Sequence, residues 1–196
     1  MKKYLIPIIV VVVLAFISYS WIVGINNTAV KLEANAKTEW SDVESAYQRR
    51  TDLYNTVLKT VKASAEFEKS TLTEVIEARS KASSIEINVD ELTPENVAKF
   101  QEAQSQFSGS FNKLLATFER YPDLKTTGAF REFMAQQEGT ENRINVARDR
   151  YNDAVNEYDI YTTQFPNKLF AGWFGFEEMA RFKSDKGSEK VPDLNF

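Results

Sequence analysis

The chain has 196 residues, 43% of them hydrophobic, and a formal net charge of −4, enough for one compact domain with a small appendage. It contains no histidine and no cysteine. That excludes disulfides, thiolate or imidazole zinc sites, Cys or His nucleophiles, the Ser-His-Asp triad and the Glu-x-x-His pairs of a di-iron bundle. The acidic balance and the absence of a long basic run give nucleic acid no electrostatic footprint.

Residues 4–25, YLIPIIVVVVLAFISYSWIVGI, carry no charge. As a helix these 22 residues extend roughly 33 Å, enough to cross a hydrocarbon core. Tyr19 and Trp21 stand near the far end, where amphipathic aromatics favour the membrane interface. Pro7 falls in the first turn, where its missing N–H costs little. Residues 1–25 are therefore predicted to be a transmembrane anchor that meets the lipid bilayer through residues 4–25. The competing reading is a cleaved signal peptide with Ser18-Tyr19-Ser20 as its cleavage triplet, against which the apolar character continues through Ile25. Lys2 and Lys3 favour a cytoplasmic N-terminus, which places the soluble domain on the non-cytoplasmic side of the cell (inner) membrane. Lys31 and Lys37 on the other flank weaken that bias.

Residues 26–183 are predicted to form the helical domain. From Asn26 to Ser84 there is neither Gly nor Pro, and Trp40, Val43, Tyr47, Tyr54, Val57 and Val61 trace one helical stripe. A single helix from Val30 to Ser84, roughly 80 Å long, is expected to run on from the membrane span. SSIEINVDELT (83–93) interrupts it, and alternation at Ile85, Ile87 and Val89 predicts an extended strap. Thr93-Pro94-Glu95 has the chemistry of a helix start: cap, first-turn proline and dipole-matched acid. The stripe Val97, Phe100, Gln104, Phe107, Phe111, Leu114, Phe118 follows. Tyr121-Pro122 is predicted as a turn between antiparallel helices with Leu124 tucked against them. Thr126 or Thr127 then caps a helix whose stripe includes Phe130, Phe133, Glu141, Ile144, Arg148, Tyr151, Val155 and Tyr158, closed by Pro166. A short aromatic segment from Leu169 to Phe182 precedes a flexible C-terminal tail, 184–196. Long helices with short connections predict an all-α fold: an N-terminal transmembrane helix followed by a long antiparallel bundle.

Specific blocks carry a resemblance. They are Trp40 and Val43; Arg49-Arg50-Thr51-Asp52-Leu53; Glu119-Arg120-Tyr121-Pro122-Asp123-Leu124-Lys125; Thr140-Glu141-Asn142-Arg143-Ile144; Ala147-Arg148, Tyr151-Asn152, Phe165-Pro166 and Phe174-Gly175-Phe176. In this order they resemble the LemA family. The resemblance covers the chain from the anchor to about Phe176. It implies a single-pass anchor and an antiparallel four-helix bundle, with no established catalytic activity. Some relatives are associated with bacterial internal-membrane organelles, which hints at membrane organisation. One departure is visible: Tyr54-Asn55-Thr56 stand where typical members have Ile-Pro-Asn, so this helix is expected to be straighter.

Arg50, Glu68, Glu141 and Arg148 fall on or beside apolar stripes. A charge there must be paired, so buried ion pairs that fix helix register are expected, with Arg50 and Arg148 facing Glu141 or Glu68; a metal or ligand site between helices is the alternative. Arg49 and Asp52 are expected to pair on the surface, ahead of anion binding by Arg49-Arg50. Asn142 and Asn152 either bond across the bundle or face water. Phe170, Trp173, Phe174 and Phe176 either plug the bundle or form an interaction surface. Counting three long helices puts them at the membrane-distal end, which favours a protomer or partner over lipid. No catalytic residue, metal or cofactor is expected, and the chain reads as a non-enzyme. The function that follows is a scaffold or interaction module in the cell envelope, self-associating or recruiting other membrane proteins, with no nucleic acid partner. The alternative is a lipid or small-molecule sensor with a cavity lined by Phe107, Phe111, Phe133 and Tyr151. A carboxylate-only hydrolase ranks last, because no converging carboxylate pair lacking a basic partner is visible.

Overall fold

The computed structural model describes residues 4–62, 69–125 and 127–183. Glu68, Thr126 and the 184–196 tail lie outside these residues, as does the side chain of Leu124. Helix α1 (Leu5–Lys62) is one unbroken helix of 58 residues, roughly 87 Å long. No proline follows Pro7 within it, and Lys59 and Lys62 meet the negative end of its dipole. Its apolar N-terminal part is exposed, from Ile6 to Val23. Burial begins at Ile25, 3% exposed, and continues through Ala29, Ala36, Trp40, Val43, Tyr47, Arg50, Tyr54, Val57 and Val61. These spacings of three, four and seven mark one face of a helix. Among the described residues, α1 holds the one stretch long and apolar enough to cross a membrane.

The expected helix from Val30 to Ser84 is in fact two. Helix α1 ends at Lys62, and α2 (Lys69–Ser84) runs in the opposite direction. Residues 63–68 contain neither Gly nor Pro, so the sequence carries no breaker between the two helices. Residues 85–92 then form the strap, with Ile87 and Leu92 buried against the Trp40 region and Asp90 accepting from Lys37 at 2.8 Å. Helix α3 (Pro94–Thr117) starts where its signals place it: the Thr93 hydroxyl accepts from the Asn96 N–H at 3.3 Å. A 3-10 turn (Phe118–Arg120), Tyr121 at φ −129°, and the single turn of α4 (Pro122–Lys125) break the path before α5 (Gly128–Thr163). Thr127 caps α5 through the Phe130 N–H.

Ring contacts fix the directions. Trp40 meets Phe100 and Tyr54 meets Phe107, so α3 runs parallel to α1. Tyr54 meets Phe133 and Trp40 meets Tyr151, so α5 runs antiparallel to it. Glu74–Lys113 at 2.7 Å and Lys81–Gln106 at 2.9 Å set α2 antiparallel to α3. Helices α1, α2, α3 and α5 thus form an out-back-out-back bundle. Two clusters fill it: one around Trp40, Phe100, Tyr151 and Phe182, the other around Tyr54, Phe107, Phe111, Phe118 and Phe133.

In the second cluster the Phe111 ring is fully buried and stacks on Tyr54 at 3.7 Å. Phe111→Ala is expected to lower unfolding free energy by about 3–5 kcal/mol, while Met134→Ala on the exposed face of α5 changes it by about 0.5 kcal/mol or less. Denaturant unfolding of both variants checks the contrast.

Candidate functional site

Arg50 is 4% exposed and lies between the two aromatic clusters. Its Nη2 donates to the Gln104 side-chain oxygen at 2.8 Å and to the Gln104 carbonyl at 3.2 Å. The guanidinium sits over the Tyr47 ring at 4.7 Å. Glu141 is half-exposed and approaches Nη1 at only 3.8 Å. A buried charge is therefore held chiefly by an amide and a π-face. Sequence reasoning noted Gln104 on the α3 stripe without giving it this role, although a polar residue among phenylalanines was the available signal.

Arg148 departs from expectation. Its Nη2 donates to the Lys183 carbonyl at 3.0 Å and its guanidinium lies over the Phe182 ring at 5.0 Å; no carboxylate faces it among the described residues. The reason is the chain from Glu177 to Lys183, which folds back along α5 and supplies a main-chain carbonyl where a carboxylate was expected. Asn152 is the main clasp: it donates to the Phe182 carbonyl at 3.2 Å and accepts from the Phe182 N–H at 2.8 Å. Tyr151 donates to the Ala180 carbonyl at 2.7 Å and Tyr158 to the Glu177 carbonyl at 2.9 Å. Asp159 holds both the Met179 N–H and Arg181. Burial raises the pKa of both tyrosines. That of Tyr158 is pushed up to about 12, with the charges of Glu33, Asp159 and Glu177 adding to the effect. Asn142 faces water, and Asp52 accepts from Gln48 at 3.0 Å in place of the expected pair with Arg49.

Phe107, Phe111 and Phe133 belong to one cluster and Tyr151 to the other, so the four do not line a common cavity. One concavity, about 1,310 Å³, is an open groove bordered by residues of both signs, including Asp42, Arg49, Asp52, Glu86, Arg143 and Arg150. Among the described residues no group of three or more acidic side chains is placed to hold a metal ion.

The aromatic segment sits at the opposite end from the one expected. With α2 counted, α5 returns toward the start of α1, and α6 (Asn167–Phe174) lies beside the end of the apolar span. Phe170 contacts Trp21, ring centroids 5.8 Å apart and nearly perpendicular. Asn167 and Ala171 form the buried face of α6. Leu169 and Trp173, 65% and 76% exposed, form the open face, with Phe165 at 83% just before the helix. Phe174 is exposed, while Phe176 is half-buried beside Tyr158. Gly175, at φ +82°, ends α6 with the left-handed turn that favours glycine. Each 100 Å² of apolar surface left in water costs roughly 2.5 kcal/mol, so such a face is costly unless something covers it.

The fold and this surface define a class: an all-α bundle grown directly from one apolar helix, with an aromatic helix returned to the base of that span. The LemA family profile matches residues 39–196, and the chain belongs to that family. It is 26% identical over 157 residues to Protein LemA of Metamycoplasma hominis, covering 80% of this chain and 65% of that protein. It is 24% identical over 174 residues to Magnetosome protein MamQ 2 of Paramagnetospirillum magneticum, covering 80% of this chain and 64% of that one; Magnetosome protein MamQ 1 matches to the same extent. The chain thus spans about two thirds of the length of the curated relatives it matches.

Two outcomes follow from the polar contacts. Arg50→Ala is expected to cost about 3 kcal/mol or more, because it removes a buried, hydrogen-bonded group from a packed layer. Glu141→Gln is expected to cost about 1 kcal/mol or less, the range of partly exposed ion pairs. Equal losses in unfolding experiments would reassign the partner of Arg50. Separately, both buried tyrosines keep their protons in the fold above the ordinary tyrosine pKa of 10, so their contribution is complete below that pH and is lost as pH rises toward 12. The melting temperature is expected to fall across that interval, and Tyr158→Phe to make the fall shallower.

Proposed function

We propose that this LemA-family chain is a single-pass membrane protein whose bundle acts as a scaffold or interaction module in the cell envelope. The observation that carries the reading is the continuity of α1: an exposed apolar row runs without a break into the buried stripe of the bundle. A soluble helix so apolar would turn that row inward. Here the row faces outward, as lipid contact requires. The charge pair Lys2-Lys3 supports a bundle on the non-cytoplasmic side of the inner membrane. The likeness to proteins named as magnetosome proteins supports a role in organising membrane. The partners are further copies of the chain or other membrane proteins. The rings named for a sensor cavity fall in two separate packed clusters, which gives the sensor reading no support.

Carbonate washing is expected to leave the full chain in the membrane, and its mass to begin at Met1. Release, or a mass beginning at Trp21, would overturn the anchor. Mild detergent extraction is expected to yield an assembly larger than the 22.4 kDa chain, or one with stoichiometric membrane partners. A bare monomer would overturn the scaffold.

A further inference from the structure

We infer that α6 is a second membrane contact: an interfacial helix whose Leu169–Trp173 face beds into the bilayer surface beside the point where α1 emerges. The inference rests on the anchor reading of α1. Its own ground is the level at which α6 is held.

The uncharged run ends at Ile25, and Ile25 is also the first fully buried residue of the bundle along α1. No linker separates span from bundle. Trp21 lies one helical turn before Ile25, roughly 6 Å along the axis. The Phe170 ring packs on Trp21 itself, so α6 is fixed at the depth of that indole. Tryptophan near the end of a membrane span belongs to the interfacial belt, and α6 shares its level.

The face α6 turns outward suits that level. In a water-facing helix the apolar residues point to the core and the polar ones to solvent. Here Leu169 and Trp173, one turn apart, point away from the bundle, and Lys168 is the helix's one charge. Tryptophan and leucine on one side with a lysine alongside is the composition of a helix lying in the headgroup region. The nearby acids Glu177 and Glu178 offer anionic lipids no attraction, so the contact is apolar and insensitive to salt. The same face could be covered by a second copy of the chain. Continuity with the span favours lipid, because the bilayer is already present at that depth. Two contacts instead of one would hold the bundle at a set tilt and rotation on the membrane.

The absence of native cysteine makes the test clean. Single-cysteine variants of the full chain, Val13→Cys, Leu169→Cys and Met134→Cys, are spin-labelled and reconstituted in phosphatidylcholine vesicles. Accessibility to oxygen and to a water-soluble nickel complex gives depth, and circular dichroism checks helicity. The Met134 label, on the exposed face of α5 toward the far end, is expected in water, and the Val13 label in hydrocarbon. The Leu169 label is expected between them, several-fold less accessible to nickel than the Met134 label, at low and high salt alike. A Leu169 label as wet as the Met134 label, with the Val13 label still in lipid, would overturn the docking and leave the anchor standing. A wet Val13 label would bring down the anchor and the docking together. Shielding of Leu169 that vanishes at high salt would overturn the apolar mode. Shielding from both reagents, with spin–spin broadening relieved by dilution with unlabelled chain, would assign the face to a second copy and overturn the lipid contact.

Discussion

The structure depends on the rigidity of one helix. Because α1 runs unbroken from the apolar row into the core, every residue along it has a fixed height and a fixed azimuth relative to every other. The buried stripe from Ile25 to Val61 is the rail on which α3 and α5 are laid. Trp40 touches rings from α3, α5 and the returning C-terminal chain, namely Phe100, Tyr151 and Phe182. Tyr54 repeats the arrangement with Phe107, Phe111 and Phe133. These aromatics are among the largest side chains that the bundle removes from water.

Apolar rings are tolerant neighbours, and two helices lined with phenylalanine can slide by a turn at modest loss. Arg50 does not allow that. A shift of α3 by one turn would move Gln104 about 5.4 Å away and leave a guanidinium buried without its amide. The polar layer between the two clusters thus contributes little net attraction but a large penalty for misalignment. Its position between the two clusters lets it set the register of both.

The all-α fold, the long apolar N-terminal helix, the strap and the caps at Thr93 and Thr127 were legible because each rests on local chemistry: an uncharged run, alternation, a hydroxyl before a helical stripe. The end of α1 at Lys62 and the opposite direction of α2 were not, because no Gly or Pro stands between the two helices to mark the change. That one missed reversal changed the parity of the helices and sent Phe170 and Trp173 to the wrong end of the molecule. Arg50 and Glu141 lie close together, as their stripe positions suggested, yet Gln104 supplies the shorter bonds. Arg148 was misread for a different reason. Its partner is the Lys183 main chain, and a carbonyl carries no sequence signature. Asn152 was noted, with its partner left open, and Asp159 was not, on the same ground. No inspection of residue types could have matched them to the backbone of residues 177–183.

That returning segment has a consequence for how the family's sequences are free to drift. Apart from the Arg181–Asp159 pair at 2.8 Å, its fastenings fall on main-chain atoms: the carbonyls of Glu177, Ala180, Phe182 and Lys183, and the N–H groups of Met179, Ala180 and Phe182. Any residue but proline offers the same N–H and carbonyl, so identity along the segment is loosely constrained outside Arg181 and the buried Ala180 and Phe182. Length is another matter. One residue inserted or lost after Gly175 would move every downstream fastening by about 3.3 Å, and no side chain on α5 could follow. Homologues should therefore vary freely here in letter while holding the count between Gly175 and Phe182 constant.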